Sequence, residues 1–110
     1  MARRMPRKIA QLVTETSTEL RKIYADRLKS VILYGSYARG DYRNGSDVDL
    51  LLLVENLRDA LVERAVFSPI ISRLSLKYDT VVSVIPMDID DYERKKTPLL
   101  INVAKEGRPV

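Results

Sequence analysis

The chain has 110 residues, of which 45% are apolar and 31% charged, with a formal net charge of +4; this length and balance suit one globular domain, and a second substrate-recognition domain is not expected within it. It contains neither cysteine nor histidine, which excludes disulfides, thiolate and histidine metal sites, a cysteine nucleophile and any His-based triad. The longest apolar run, residues 50–54, falls far short of a membrane span, and the basic first residues lack the apolar region of a signal peptide, so a cytoplasmic protein is expected.

Residues 6–28 place Ile9, Leu12, Val13, Leu20, Ile23, Tyr24 and Leu28 near helical spacing, which predicts an amphipathic helix. Arg3, Arg4, Arg7, Lys8, Arg21, Lys22, Arg27 and Lys29 make this third strongly basic. The ordinary reading is a solvated helix face, and the functional one an attraction for RNA or an acidic partner. Val31-Ile32-Leu33-Tyr34 then reads as a short buried strand.

Gly35 after that strand allows a close backbone approach to phosphate. The Ser36 hydroxyl and the amides opening a short helix can donate to phosphate oxygens. Arg39, one helical turn after Ser36, lies on the same side, suited to bidentate phosphate contact and to charge gathering on a leaving pyrophosphate. Gly40 and Asn44-Gly45 turn the chain into the next strand. Tyr37 and Tyr42 flank this stretch, either to stack on a base or to pack at its rim.

The next strand opens with Asp47-Val48-Asp49 and runs on through the apolar residues 50–54. Alternation points Asp47 and Asp49 to one face and Val48 and Leu50 to the other. Two carboxylates held side by side repel unless a cation stands between them. Mg²⁺ suits the pair, because it takes oxygen ligands, often uses only one or two protein carboxylates, and completes its shell with water and substrate phosphate.

Beyond the strand, Asn56 is the expected cap of a helix carrying Leu57, Leu61, Val62 and Val66. Ser68-Pro69 leaves open whether Ile70, Ile71, Leu74 and Leu76 continue it or belong to a second helix. Residues 80–85 read as a strand ended by Pro86. Asp88 is positioned to cap a short helix, and the acids Asp88, Asp90, Asp91 and Glu93 suit a helix N-terminus. Residues 98–105 read as a last helix stopped by Gly107. The expected architecture is α/β: a small mixed sheet flanked by helices.

Gly35-Ser36, ten intervening residues, then Asp47-Val48-Asp49 resembles the signature of the minimal nucleotidyltransferases of the DNA polymerase beta superfamily. Ala38-Arg39-Gly40 and Ser46-Asp47 are similar to the family's longer consensus. The resemblance spans nearly all of residues 1–110 as one nucleotidyltransferase domain with a polymerase beta palm-like fold. It implies that Gly35, Ser36, Arg39 and Ser46 bind nucleotide and that Asp47 and Asp49 bind Mg²⁺. Family members usually carry a third acid on a neighbouring strand, and Asp79 is the candidate, read as opening the third strand on the face of Val81 and Ser83. Counted back from Pro86, the family's acid falls nearer Val81 or Ser83, neither of which is acidic, and Asp79 also reads as a turn residue.

The resemblance further implies transfer of a nucleoside monophosphate, AMP from ATP, to an acceptor hydroxyl. Small members are often paired with a helical HEPN-type protein as toxin and antitoxin, so a tyrosine of such a toxin is the expected acceptor. Two alternatives stand beside it: a stoichiometric binding module for a partner protein, and an RNA or small-molecule nucleotidyltransferase with a separate recognition subunit.

Overall fold

The computed structural model describes residues 4–94 and 96–110; Arg3, counted above among the basic residues, lies outside them. The first helix, α1 (Arg7–Tyr24), starts at Pro6 and buries Ile9, Leu12, Val13, Leu20 and Tyr24 along one stripe. It is shorter than the expected 6–28. Ala25 turns out of the helix at φ 49°, a 3-10 turn spans Ala25–Arg27, and Leu28 already belongs to β1 (Leu28–Tyr34). After β1 come α2 (Ser36–Arg39), β2 (Val48–Val54), α3 (Ala60–Tyr78), β3 (Val82–Asp88), α4 (Ile89–Arg94), α5 (Pro98–Glu106) and the two-residue β4 (Arg108–Pro109).

The sheet is mixed, in the order β3-β2-β1-β4. β1 runs antiparallel to both β2 and β4, whereas β2 and β3 are parallel and joined through α3. A parallel pair needs such a crossover, and residues 55–81 supply it.

Strand alternation divides the core between two layers. Val48, Leu50, Leu52 and Val54 of β2 join Val31 and Leu33 of β1 and Val82 and Val84 of β3 against α1 and α3. Leu51 and Leu53 face the other way, with Ile32, and meet Leu100 and Val103 of α5. β2 is buried on both faces, and each such leucine or valine contributes about 1.5–3 kcal/mol by leaving water.

α3 is one helix despite Pro69. Such a proline costs about 3 kcal/mol in a helix interior, offset here by the buried Phe67, Ile71 and Leu74. Its cap is Asp59, whose side chain accepts from Leu61 N–H (2.9 Å), and not the expected Asn56, which sits in a left-handed turn at φ 56°.

Pro86 does not end the third strand but lies within it, opposite Leu52. β3 is the edge of the sheet, where a residue with no amide proton is tolerated. Toward that same open side, Val82 N–H donates to Ser75 Oγ (3.2 Å). Asp88 caps α4 as expected, its Oδ1 accepting from Asp90 N–H (2.9 Å), while Oδ2 accepts from Leu57 N–H (3.0 Å). α5 is capped by Thr97 and ends at Gly107. Among the described residues no helix is long and apolar enough to cross a membrane.

Candidate functional site

Gly35 ends β1 and starts α2 with φ 80° and ψ −158°, a conformation essentially restricted to glycine. A side chain here would collide with Asp49 Oδ2 and stand 3.3 Å from Asp49 Cγ. Asp49 therefore lies directly over the Gly35 backbone. The single turn of α2 is closed by Arg39 N–H to Gly35 O (3.0 Å) and Gly40 N–H to Ser36 O (2.8 Å), and Gly40 leaves it in the left-handed region. This short turn carries Arg39 to the same side as Asp49.

Asp49 pairs across the antiparallel ladder with Tyr34 and across the parallel ladder with Ser83. Asp47 precedes β2 by one residue. The two acids share an open hollow of about 430 Å³ with Tyr34, Gly35, Ser36, Arg39, Ser46, Leu99, Asn102 and Glu106. The expected pairing of the two carboxylates is thus present, on the sheet face opposite Val48 and Leu50.

The electrostatics follow from this crowding. Burial, and then the charge of Asp47, raise the Asp49 carboxyl above its ordinary range, with Arg39 acting in the opposite sense. Burial, and then Asp49, raise the Tyr34 hydroxyl. Arg39 bonds Asp41 Oδ2 (3.2 Å) and Glu106 Oε1 (3.1 Å), and these acids hold its guanidinium above its usual range. A divalent cation between Asp47 and Asp49 would offset the Asp47 charge that adds to burial in raising Asp49. The donor set fits Mg²⁺, which needs only one or two protein carboxylates when phosphate and water complete its shell.

Asp79 is not brought to the pair. It is the C-cap of α3, in the left-handed conformation at φ 49° and ψ 47°, and β3 begins three residues later. A short polar side chain tolerates that conformation, and the turn is the means by which the chain leaves the helix. Asp79 lines a different hollow of about 730 Å³, between Ile9, Tyr37, Arg43 and Val81, whose walls do not include Asp47 or Asp49. That hollow is the larger, but the smaller one holds the carboxylates. The strand position beside Asp49 belongs to Ser83, and no group of three acids among the described residues is arranged to hold a metal ion.

Ser46 lines both hollows, and its hydroxyl accepts from Arg43 N–H (2.8 Å), bracing the loop around Gly45. Tyr37 and Tyr42 stack on each other with ring centroids 4.7 Å apart, and both line the larger hollow. Tyr34, Asn102 and Glu106 were not among the expected site residues. Glu106 approaches from α5, 71 residues beyond Gly35, and carries no local pattern that announces it.

A sequence profile described as a nucleotidyltransferase domain matches residues 13–110. A Methanocaldococcus jannaschii protein, provisionally named protein adenylyltransferase MJ0141, is 46% identical over 77 residues, covering 70% of this chain and 77% of the relative. Two crystal structures share the fold. One, of a toxin–antitoxin with AMP-PNP, has a TM-score of 0.61 at 20% identity, covering 86% of this chain and 69% of that one. The other, a tri-AMPylated Shewanella oneidensis HEPN toxin in complex with MNT antitoxin, has a TM-score of 0.56 at 19% identity, covering 90% and 69%. With Asp49 over Gly35, Asp47 in the same hollow and the domain pattern running from Val13 to Val110, this chain belongs to the nucleotidyltransferase domain family and is a nucleotidyltransferase.

Proposed function

We propose that the protein transfers AMP from Mg²⁺-bound ATP to a tyrosine hydroxyl of a HEPN-type helical partner, releasing pyrophosphate. The observation that carries this reading is the meeting of Asp47, Asp49, Gly35 and Arg39 in one open hollow. The relative named as a protein adenylyltransferase and the complex of an AMPylated HEPN toxin with an MNT antitoxin support the choice of acceptor.

Asp47 and Asp49 would hold the ion, which supplies charge neutralisation along the triphosphate. The Gly35 amide and Ser36 receive phosphate oxygens, and Arg39 faces the charge that collects on the departing pyrophosphate. The acceptor oxygen bonds the α-phosphorus while the bond from that phosphorus to the bridging oxygen breaks. The acceptor's proton leaves to water in the open hollow. Because the site is shallow, the partner's own surface completes its walls and presents the tyrosine.

The test is incubation of the purified protein with Mg²⁺ and each α-labelled nucleoside triphosphate in lysate of its native host, beside an Asp47→Asn/Asp49→Asn control. The expected result is one ATP-labelled protein, lost in the control and in chelator, with AMP on tyrosine by mass spectrometry. Labelled RNA would replace the acceptor assignment. No label with the partner shown to be present would leave stoichiometric binding as the function.

A further inference from the structure

Glu106 closes the hollow from the far end of the chain. Its Oε1 accepts from Gly35 N–H (3.3 Å) and from Arg39 Nη1 (3.1 Å), and its Oε2 lies 3.4 Å from the same Nη1. Both donors are among those that the functional reading gives to the triphosphate. A carboxylate and a phosphate present the same pair of anionic oxygens to a guanidinium. An acid whose only task was to steer Arg39 would have no use for the Gly35 amide. Arg39 already has a second carboxylate in Asp41, at 3.2 Å.

The backbone that delivers Glu106 is fixed. Leu100 and Val103 anchor α5 in the second core layer. Gly107 N–H bonds Val103 O (2.7 Å), and a side chain at Gly107 would run into Val103 O and into Ile32 Cγ2. Beyond it, β4 pairs with Ile32 and Leu33 of β1, and Val110 O accepts from Ser17 Oγ (3.1 Å) and Arg21 Nη2 (2.8 Å). These contacts hold the helix end at the site, whereas the Glu106 side chain needs only a change of rotamer to leave it.

We propose that Glu106 is a built-in competitor for the triphosphate. Its carboxylate occupies the phosphate subsite of the free protein and is displaced when a nucleoside triphosphate enters. This inference rests on the functional reading above. It makes Glu106 a residue that sets nucleotide affinity without taking part in the chemistry, and it favours ligands with enough phosphate charge to win both donors.

The test compares wild type with Glu106→Gln and Glu106→Ala, using Mg²⁺ with a non-hydrolysable ATP analogue and Mg²⁺ with inorganic tripolyphosphate. Both variants should bind each ligand about fivefold to tenfold more tightly, the effect expected when one charge-assisted competitor is removed. In ¹⁵N spectra the Gly35 amide should differ between wild type and Glu106→Gln when free, and coincide when both are saturated with tripolyphosphate, because Glu106 has then left. Equal or weaker binding by both variants, or a Gly35 difference that persists at saturation, overturns the inference while wild-type binding upholds the phosphate site. Failure of all three proteins to bind either ligand overturns the phosphate-site reading and this inference with it.

Discussion

Gly35→Ala probes the contact on which the site depends. At φ 80° and ψ −158°, a residue other than glycine costs roughly 1–3 kcal/mol of backbone strain. With an unfolding entropy of about 2.1 cal/mol/K per residue, a chain of this length has about 230 cal/mol/K, so Tm should fall by about 4–13 °C. Strain alone would not disturb the chemistry, but the methyl would also collide with Asp49 Oδ2. Asp49 stands on the central pair of strands, and its backbone cannot retreat, so the carboxylate must rotate away from the Gly35 amide. A displacement of that kind should reduce nucleotidyl transfer by about 100-fold. Gly45→Ala is the matched comparison: φ is 83° and nothing lies within 4 Å of the added methyl. It should lose stability and keep its activity. Thermal unfolding by circular dichroism, with single-turnover transfer of labelled nucleotide measured well below both Tm values, separates the two effects. A fully folded Gly35→Ala protein transferring within threefold of the wild-type rate would refute the claim that Asp49 must occupy this position.

Three other substitutions follow from the same structure. Asp79→Gly should gain up to about 1 kcal/mol, because glycine relieves the left-handed helix cap, and should leave transfer unchanged; lost activity in the folded variant would return Asp79 to the site. Tyr24 donates to Glu63 Oε2 (2.7 Å), and burial, followed by this bond and the Glu63 charge, raises its hydroxyl far above the usual tyrosine range. The bond's contribution is complete below the unfolded tyrosine pKa of about 10 and declines as pH rises toward the folded value. The stability gap between wild type and Tyr24→Phe in urea should therefore narrow above pH ~10, and a gap constant from neutral to alkaline pH would contradict the assignment. Leu52→Ala, at a fully buried position of β2, should cost about 2–5 kcal/mol in denaturant unfolding, and a cost of a few tenths would show that the two layers close around the gap.

The parts of the site readable in the sequence are those governed by local rules. Period-two alternation correctly set Asp47 and Asp49 against Val48 and Leu50, because a strand buried on both faces leaves its side chains no choice of layer. Gly35 was legible because close approach and an unusual conformation select one residue type. Asp79 misled because the same short acid suits a strand start, a metal ligand and a left-handed helix end; its left-handed conformation directly after a continuous α3, three residues before β3, assigns it to the last. Asn56 and Asp59 are both plausible caps by type, and the extended conformation at Asp59 made the choice. Glu106 was illegible for a different reason. Its partners lie 67 and 71 residues away and meet it only after α5 docks on the sheet and β4 joins β1.

Pro86 also interrupts the free edge of the sheet. An exposed strand edge is normally a template on which another chain can extend the sheet. Backbone groups of alternate residues point outward, so the free side of β3 is served by Val82, Val84, Pro86 and Asp88. The Val82 amide donates to Ser75 and Pro86 has no amide proton, leaving Val84 and Asp88 on either side of that gap. A foreign strand would find a broken row of donors where regular pairing needs a continuous one. That interruption makes β3 a poor template for a strand from a second copy.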